Sequence, residues 1–543
     1  EDDHVVASHD RRCAQSLVGE QLADLVLVGP LEPANVRAAG LQCPLDLVRE
    51  VPIADQGYGA SLVLWRGFAH AGQASGRGQG VRVGVVPGYA APVEAAVAPP
   101  PPAAPAIDES KLPPRPDLSR FMMTAGFMLT PTRFLDSCRE RCGDWFTLRP
   151  MADRLICVTA EPAAVEQVFK GDPNLLYAGQ GNVALAPILG PGSTLLLDGP
   201  EHLRHRRLLL PPFHGERMRK YGDVMREAAE REIARWPRGR EFAVLPSMQA
   251  ITLEVIMRAV FGFDDPERRE RLGRPLRRLL DTVASRPRVL ALALTANRYG
   301  PRSPWARFLA VRKEADDLIY SEIAARRSDP AGADGDDVFS LLLAARDEEG
   351  QPLSGDDLRD ELMTLLVAGH ETTATALAWT LERLTRTPHV LAELVAEHRA
   401  GGEEYLDATI KETLRLRPVV PAVARRLQAP MRIGPWDLPA GVTIAPSIYL
   451  LHRREEIYPD PLGFRPERFL GDPPGTYEWI PFGGGVRRCL GASFATFEMK
   501  AVLRAALDSV TLREAAGARD EGVTRRAITF APTRGGRVAV DPI

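Results

Sequence analysis

The stretch PFGGGVRRCLG, residues 481–491, presents one thiol on a loop nearly stripped of apolar side chains. Three chemistries use a cysteine so placed. A dinucleotide fingerprint GxGxxG fails on spacing: Gly483 and Gly485 demand a glycine where Arg488 stands, and no βαβ unit with its acidic residue follows. A catalytic thiol needs a base and an oxyanion site, and no histidine lies near in the sequence, so its partner would be remote. A metal ligand suits the surroundings better. A cysteine opening the helical stretch CLGASFATFEMKAVLRAAL, beside Arg487 and Arg488, has a thiolate stabilised by the helix terminus and by cationic charge. The glycines, Gly485 among them, let a flat, bulky group approach the backbone, with Phe482 alongside. One thiolate on such a loop fits a metal whose other ligands are not protein.

Further residues of chemical interest lie upstream. In AGHETT (368–373), Ala368 and Gly369 precede Glu371, Thr372 and Thr373 in the middle of an amphipathic stretch. Glycine there costs about 1 kcal/mol against alanine, so Gly369 reads as a notch, beside a threonine hydroxyl able to bond the helix backbone. Glu412 and Arg415 in ETLR stand at i, i+3, and taken alone they are an ordinary surface pair of about 0.3–0.5 kcal/mol. His202 and Arg206 in HLRHR share a helical face, which in an arginine-rich chain is commonly a solvated one.

Together, and in this order, these motifs resemble those of the cytochrome P450 family. FGGGVRRCLG matches FxxGxRxCxG at Phe482, Gly485, Arg487, Cys489 and Gly491; AGHETT resembles the oxygen-site segment, ETLR the ExxR helix, PERF (466–469) the segment with a further arginine, and HLRHR the propionate-binding HxxxR. The resemblance covers roughly residues 112–540. It implies Cys489 as the proximal thiolate of a haem b, whose electron donation favours O–O cleavage. His202, Arg206 and Arg425 would surround the propionates, Arg425 by its spacing to LPAG, with its neighbour Arg426 left open. Ala368 and Gly369 would border the oxygen site, Glu371 and Thr372 would deliver protons, and Glu412, Arg415 and Arg468 would form a buried network under the cysteine loop. The implied enzyme is a soluble bacterial-type monooxygenase that places one oxygen atom from O2 into a C–H or double bond.

These residues need elements to hold them. LSGDDLRDELMTLLVAGHETTATALAWTLERLTRTP (353–388) has an N-cap box at Ser354 and Asp357 and a stop at Pro388. About 31 residues at ~1.5 Å each give roughly 46 Å, enough to cross a whole domain. Shorter helices are expected at 213–235, 250–261, 305–326 and 490–508, and strands in FTLRP, RLICVTA and VTIAPSI. The expected fold is mainly α with a small β region, the cytochrome P450 fold with a long central helix.

Composition narrows the partners. A net charge of −3 over 543 residues offers no footprint for nucleic acid or an anionic membrane. No run of 18 apolar residues exists, so no membrane anchor is expected. Six cysteines without a CxxC pair argue against zinc and disulfide frameworks and fit a reducing cytoplasm. Arginine outnumbers lysine 62 to 6, a coding bias. VAPPPPAAPA (97–106) reads as an extended linker, and residues 1–107, which begin with Glu1, as a disordered or misassigned extension before a haem domain at 108–543. Neither end resembles a flavin reductase or ferredoxin, so electrons are expected from an external ferredoxin and its reductase. Small apolar segments, YAGQGNVALAPILGPGS (177–193), VLALALTA (289–296) and VVPAVA (419–424), suggest a hydrophobic substrate: fatty acid, terpenoid, steroid or polyketide. Competing readings are a peroxide-driven peroxygenase or a non-oxygenating isomerase, against which the Glu371–Thr372 pair argues, and a haem sensor without turnover.

Overall fold

Ser354 starts the longest helix among the described residues. Its Oγ accepts from the Asp357 amide at 3.0 Å, the expected N-cap bond. Its hydroxyl donates to Asp357 Oδ2 at 2.7 Å, so the Asp357 carboxylate meets the Ser354 hydroxyl where a full capping box would use the backbone N–H. The helix runs Gly355–Arg386, and Pro388 opens the next one, as the sequence predicts. Leu358, Leu362, Met363, Leu366, Leu377, Trp379 and Leu381 are all buried, so the helix is enclosed along most of its length. Trp379 donates its indole N–H to Phe530 O at 3.0 Å.

The structure, a computed structural model, describes residues 107–151, 154–213, 217–284, 303–329, 335–515 and 520–543. The expected extension 1–107, all but its last residue, and VLALALTA lie outside the described residues. The longer helices are α1 (Arg120–Leu129), α2 (Pro131–Cys142), α3 (Pro162–Lys170), α4 (Gly199–Leu209), α5 (Arg217–Ile233), α6 (Leu245–Ala259), α7 (Pro266–Ala284), α8 (Pro304–Ser328), α9 (Gly355–Arg386), α10 (Pro388–Arg399), α11 (Glu404–Leu416) and α12 (Ala492–Ser509). The main core gathers buried side chains of α5, α6, α9 and α12; a second packs α1 and α2 on the larger sheet.

That sheet has the order β1-β2-β8-β5-β3: Trp145–Leu148, Ile156–Thr159, Thr443–Pro446, Arg425–Leu427 and Leu176–Tyr177. Only the β2–β8 pairing is parallel. A three-stranded sheet places β12 (Arg537–Asp541) between β4 (Glu241–Ala243) and β9 (Thr511–Arg513). Two hairpins complete the β structure: β6–β7 (Met431–Ile433, Trp436–Leu438) and β10–β11 (Val523–Arg526, Thr529–Pro532). The fold is mainly α with small sheets, as expected.

Two boundaries differ for physical reasons. The helix expected from 250 begins at Leu245, because Pro246 occupies the first turn, where its missing N–H costs nothing. The α7 helix was not expected at all, since Pro275 stands inside it and its composition is arginine-rich. Its signal was a stripe at Leu272, Leu276, Leu279 and Leu280, all buried.

Candidate functional site

The cysteine loop closes on itself: Cys489 N donates to Phe482 O at 2.9 Å, Gly483 N to Ile480 O at 3.0 Å and Arg488 N to Gly485 O at 3.0 Å. The ring of Phe482 stands edge-on to Trp479, 6.1 Å between centroids. Two sequence expectations need correction here. Cys489 does not begin α12; Gly491 is the N-cap, two residues later. The glycines Gly484 and Gly485 make room first for α3: a Cβ on Gly484 would lie 2.2 Å from the ring of Phe169, and one on Gly485 2.1 Å from Phe169 O, with Gly485 also at φ +64°.

Burial pushes the Cys489 thiol up, while the Gly491 amide, Arg206 and Arg488 pull it back. The expected contribution of Arg487 is absent. Its guanidinium turns instead to Thr194 O (3.0 Å), Leu197 O and Asp198 Oδ1 (2.6 Å). Protein crowds the Cys489 thiol enough to desolvate it, yet the residue as a whole is exposed.

His202 and Arg206 lie on α4 and Arg425 on β5. The His202 imidazole is pushed down to about 3 by burial, then by Arg487, Arg206 and Arg425, which favours its neutral form as a donor or acceptor. Burial and Arg487 press Arg425 down to about 10, with Asp198 opposing. Arg426 faces elsewhere, with its charge felt by Arg154. Strand alternation thus turns Arg425, not Arg426, to the cluster. Asp198 bonds Arg487 and the Gly179 and Gln180 amides. Among the described residues no carboxylate pairs with Arg206 or Arg425. Desolvated guanidiniums in no direct ion pair, with Asp198 bearing on Arg425 and the Cys489 sulfur on Arg206, fit a group bearing anionic arms.

On α9, Ala368 is exposed in mid-helix and Thr372 half-buried, with a continuous buried run following at 373–382. Thr372 Oγ1 donates to Ala368 O at 2.6 Å. Gly369 does not notch that open face. A Cβ there would come 3.0 Å from Ile256 Cδ1, so the glycine serves the close crossing of α6. Glu371 points away from Thr372: Oε1 accepts from Arg526 Nε at 2.8 Å and Oε2 from Gln249 Nε2 at 2.7 Å.

Beneath the loop, Arg415 donates to both oxygens of Glu412 (2.6 and 2.8 Å) and to the carbonyls of His452, Pro461 and Gly463; both side chains are fully buried. Arg468 Nε lies 3.5 Å from Glu412, which also accepts from the Arg465 amide at 2.9 Å. Sequence reasoning missed His452, whose Nε2 accepts from the Ile480 amide at 3.0 Å, and also Asp198, Gln249 and Arg526. It missed too the buried pair His205–Glu361 (2.9 Å) between α4 and α9, in which burial pushes Glu361 up to about 7.

Comparison with known proteins agrees with this geometry. The family model Cytochrome P450 matches residues 113–525. The chain is 42% identical to cytochrome P450 135B1 of Mycobacterium tuberculosis, covering 79% of this chain and 91% of that one. It is also 42% identical to cytochrome P450 138 of the same organism, covering 81% and 98%. A retinoic acid-bound cyanobacterial cytochrome P450 superposes with a TM-score of 0.69 at 24% identity, over 80% of this chain and 99% of that one. The haem domain of cytochrome P450DA gives 0.68 at 24%, over 79% and 97%. The chain belongs to the cytochrome P450 family, and is a haem-dependent monooxygenase that works with O2 and a hydrophobic substrate. No helix among the described residues is long and apolar enough to cross a membrane.

Proposed function

We propose that Cys489 is the proximal thiolate of a haem b and that the chain hydroxylates or epoxidises a hydrophobic substrate with electrons from an external ferredoxin and its reductase. When bound, the haem supplies activation of O2 and its insertion into the substrate. Arg206 and Arg425 pair with the propionates, Arg487 braces them from its bonds to Asp198 and the loop carbonyls, and neutral His202 contributes a hydrogen bond. Phe482 lines the thiolate side and Ala368 the oxygen side. Gly369 acts indirectly, by seating α9 against α6. Thr372 holds a proton donor at the open face of α9, and Glu371 brings protons to it. The Glu412–Arg415–Arg468 network fixes the segment that leads into the cysteine loop. Residues 108–543 form the haem domain, residues 1–107 are an extension of it, and the enzyme works in the cytoplasm.

One observation carries this reading: desolvated Arg206 and Arg425 in no direct ion pair, with Arg206 beside the exposed Cys489. The test is the absorption spectrum of the reduced, carbon monoxide-treated protein. The red-shifted Soret band of thiolate ligation is expected in the parent and its loss in Cys489→His. A histidine-type spectrum in the parent would sink the assignment.

A further inference from the structure

His205 and Glu361 have no part in the chemistry proposed above, yet they tie three parts of the chain together. Both side chains are fully buried, His205 on α4 and Glu361 on α9, with His205 Nδ1 2.9 Å from Glu361 Oε1. Glu361 also accepts from the backbone N–H of Thr194. Thr194 belongs to a strap, residues 192–198, that lies on α9. Asp360 Oδ2 accepts from the Gly192 amide at 2.7 Å, and Thr364 Oγ1 lies 2.6 Å from Ser193 Oγ, so α9 anchors the strap on its own. What Glu361 adds is the tie to α4.

That tie bears on the cation cluster. The strap presents Thr194 O, Leu197 O and Asp198 to Arg487. The α4 helix carries Arg206, next to His205, and His202, one turn before it. Burial pushes Arg487 down to about 10, Asp198 opposes, and Arg206 presses it lower. Arg487, seated on the strap, and Arg206, on α4, therefore push apart. His205 Nε2 and Glu361 Oε2 find no partner among the described residues, and burial pushes Glu361 up to about 7. A buried polar contact of that kind stabilises a fold less than an apolar pair of equal volume. What it supplies is direction, since a hydrogen bond fixes distance and angle where apolar contact does not.

We infer that Glu361 is a positioning residue for the haem pocket: with His205 it clamps α4 to the strap and sets the spacing of Arg206 and Arg487. This rests on the reading of Arg206 as a propionate partner braced by Arg487.

The experiment uses the haem-loaded full chain in parent, Glu361→Gln, Glu361→Leu, His205→Leu, Arg487→Gln and Glu361→Leu/Arg487→Gln forms. Haem transfer to an acceptor apoprotein is expected to quicken about tenfold in either Leu single variant, the effect of a buried polar group left without its partner. Glu361→Gln keeps the acceptor and should stay within about twofold of the parent. In the Arg487→Gln background Glu361→Leu should add nothing, because the spacing it sets has lost one of its two charges. The propionate bending bands of the resonance Raman spectrum should shift in both Leu single variants and stay parental in Glu361→Gln, a pattern that lost stability alone does not produce. Parental bands in the Leu variants, shifted bands in Glu361→Gln, or an effect of Glu361→Leu that persists undiminished in Arg487→Gln would overturn the inference. His205→Leu carries both readouts if Glu361→Leu does not fold, and the bands decide alone if Arg487→Gln takes up no haem. A parent without the thiolate-type carbon monoxide spectrum sinks the haem reading and takes this one with it. A thiolate-type parent whose Leu variants release haem at the parental rate sinks only the role of Glu361.

Discussion

His452 must stay neutral to do its work, because its Nε2 accepts the Ile480 amide just before the cysteine loop. Burial, then Arg415 and Arg453, push it from 6.5 down to about 3. The unfolded chain takes up this proton near pH 6.5 and the folded chain only near 3. Stability present above 6.5 is therefore lost as pH falls through that window, by about 1.4 kcal/mol per unit. His452→Gln keeps an acceptor for Ile480 and cannot titrate. Urea unfolding at about pH 7 and about pH 5 should show the parent losing roughly 2 kcal/mol more than the variant. Legibility also divides at this scale. Cys489, Glu412 and Arg415 were visible because their types stand at telling offsets along the chain. Arg526 and Gln249, 155 and 122 residues from Glu371, leave no such trace, since a through-space partner has no period.

Between elements, one close approach governs the loop, that of the end of α3 on Gly484 and Gly485. The two glycines make separable predictions. A Cβ on Gly484 meets the Phe169 ring, which a second substitution can remove; a Cβ on Gly485 meets the Phe169 carbonyl, which none can. Both Gly→Ala variants should lose about 2–4 kcal/mol and much of their haem. Phe169→Leu should restore part of the loss in Gly484→Ala and none in Gly485→Ala, read as haem content and thermal midpoint. Equal rescue would mean the loop shifts as a body. The sequence showed that glycines are needed here, but not that a neighbouring helix needs them. The same holds for Gly369 and Ile256 across the α6–α9 crossing: a glycine in a motif advertises a tight space without saying which neighbour fills it.

Across the whole molecule, the central helix and the predominance of α structure were readable from a capping box and a long periodic stretch. The small sheets were only partly so. β4, β9 and β12 are short, lie far along the chain from their partners and gain their order from pairing rather than pattern. Charge balance at this scale gives a prediction with opposite signs in two states. Without haem, Arg425 and Arg487 repel one another in a buried setting. Arg425→Gln should therefore raise the stability of the haem-free protein by about 1–2 kcal/mol while speeding haem loss from the loaded one roughly tenfold. Arg426→Gln, on the other side of β5, should change neither. Haem transfer to an acceptor apoprotein and calorimetry of both forms would check it.

The bond between Arg487 and Asp198 also bears on how the enzyme is made. Its partners are 289 residues apart, and Asp198 meanwhile holds the amides of Gly179 and Gln180. At ~5–20 residues per second, a ribosome delivers Arg487 roughly 15–60 s after Asp198. Through that interval the nascent chain carries half of a cation cluster and no thiol loop, so it has nothing with which to seize a cofactor. On the reading proposed above, haem capture thus waits until the cysteine loop has been made.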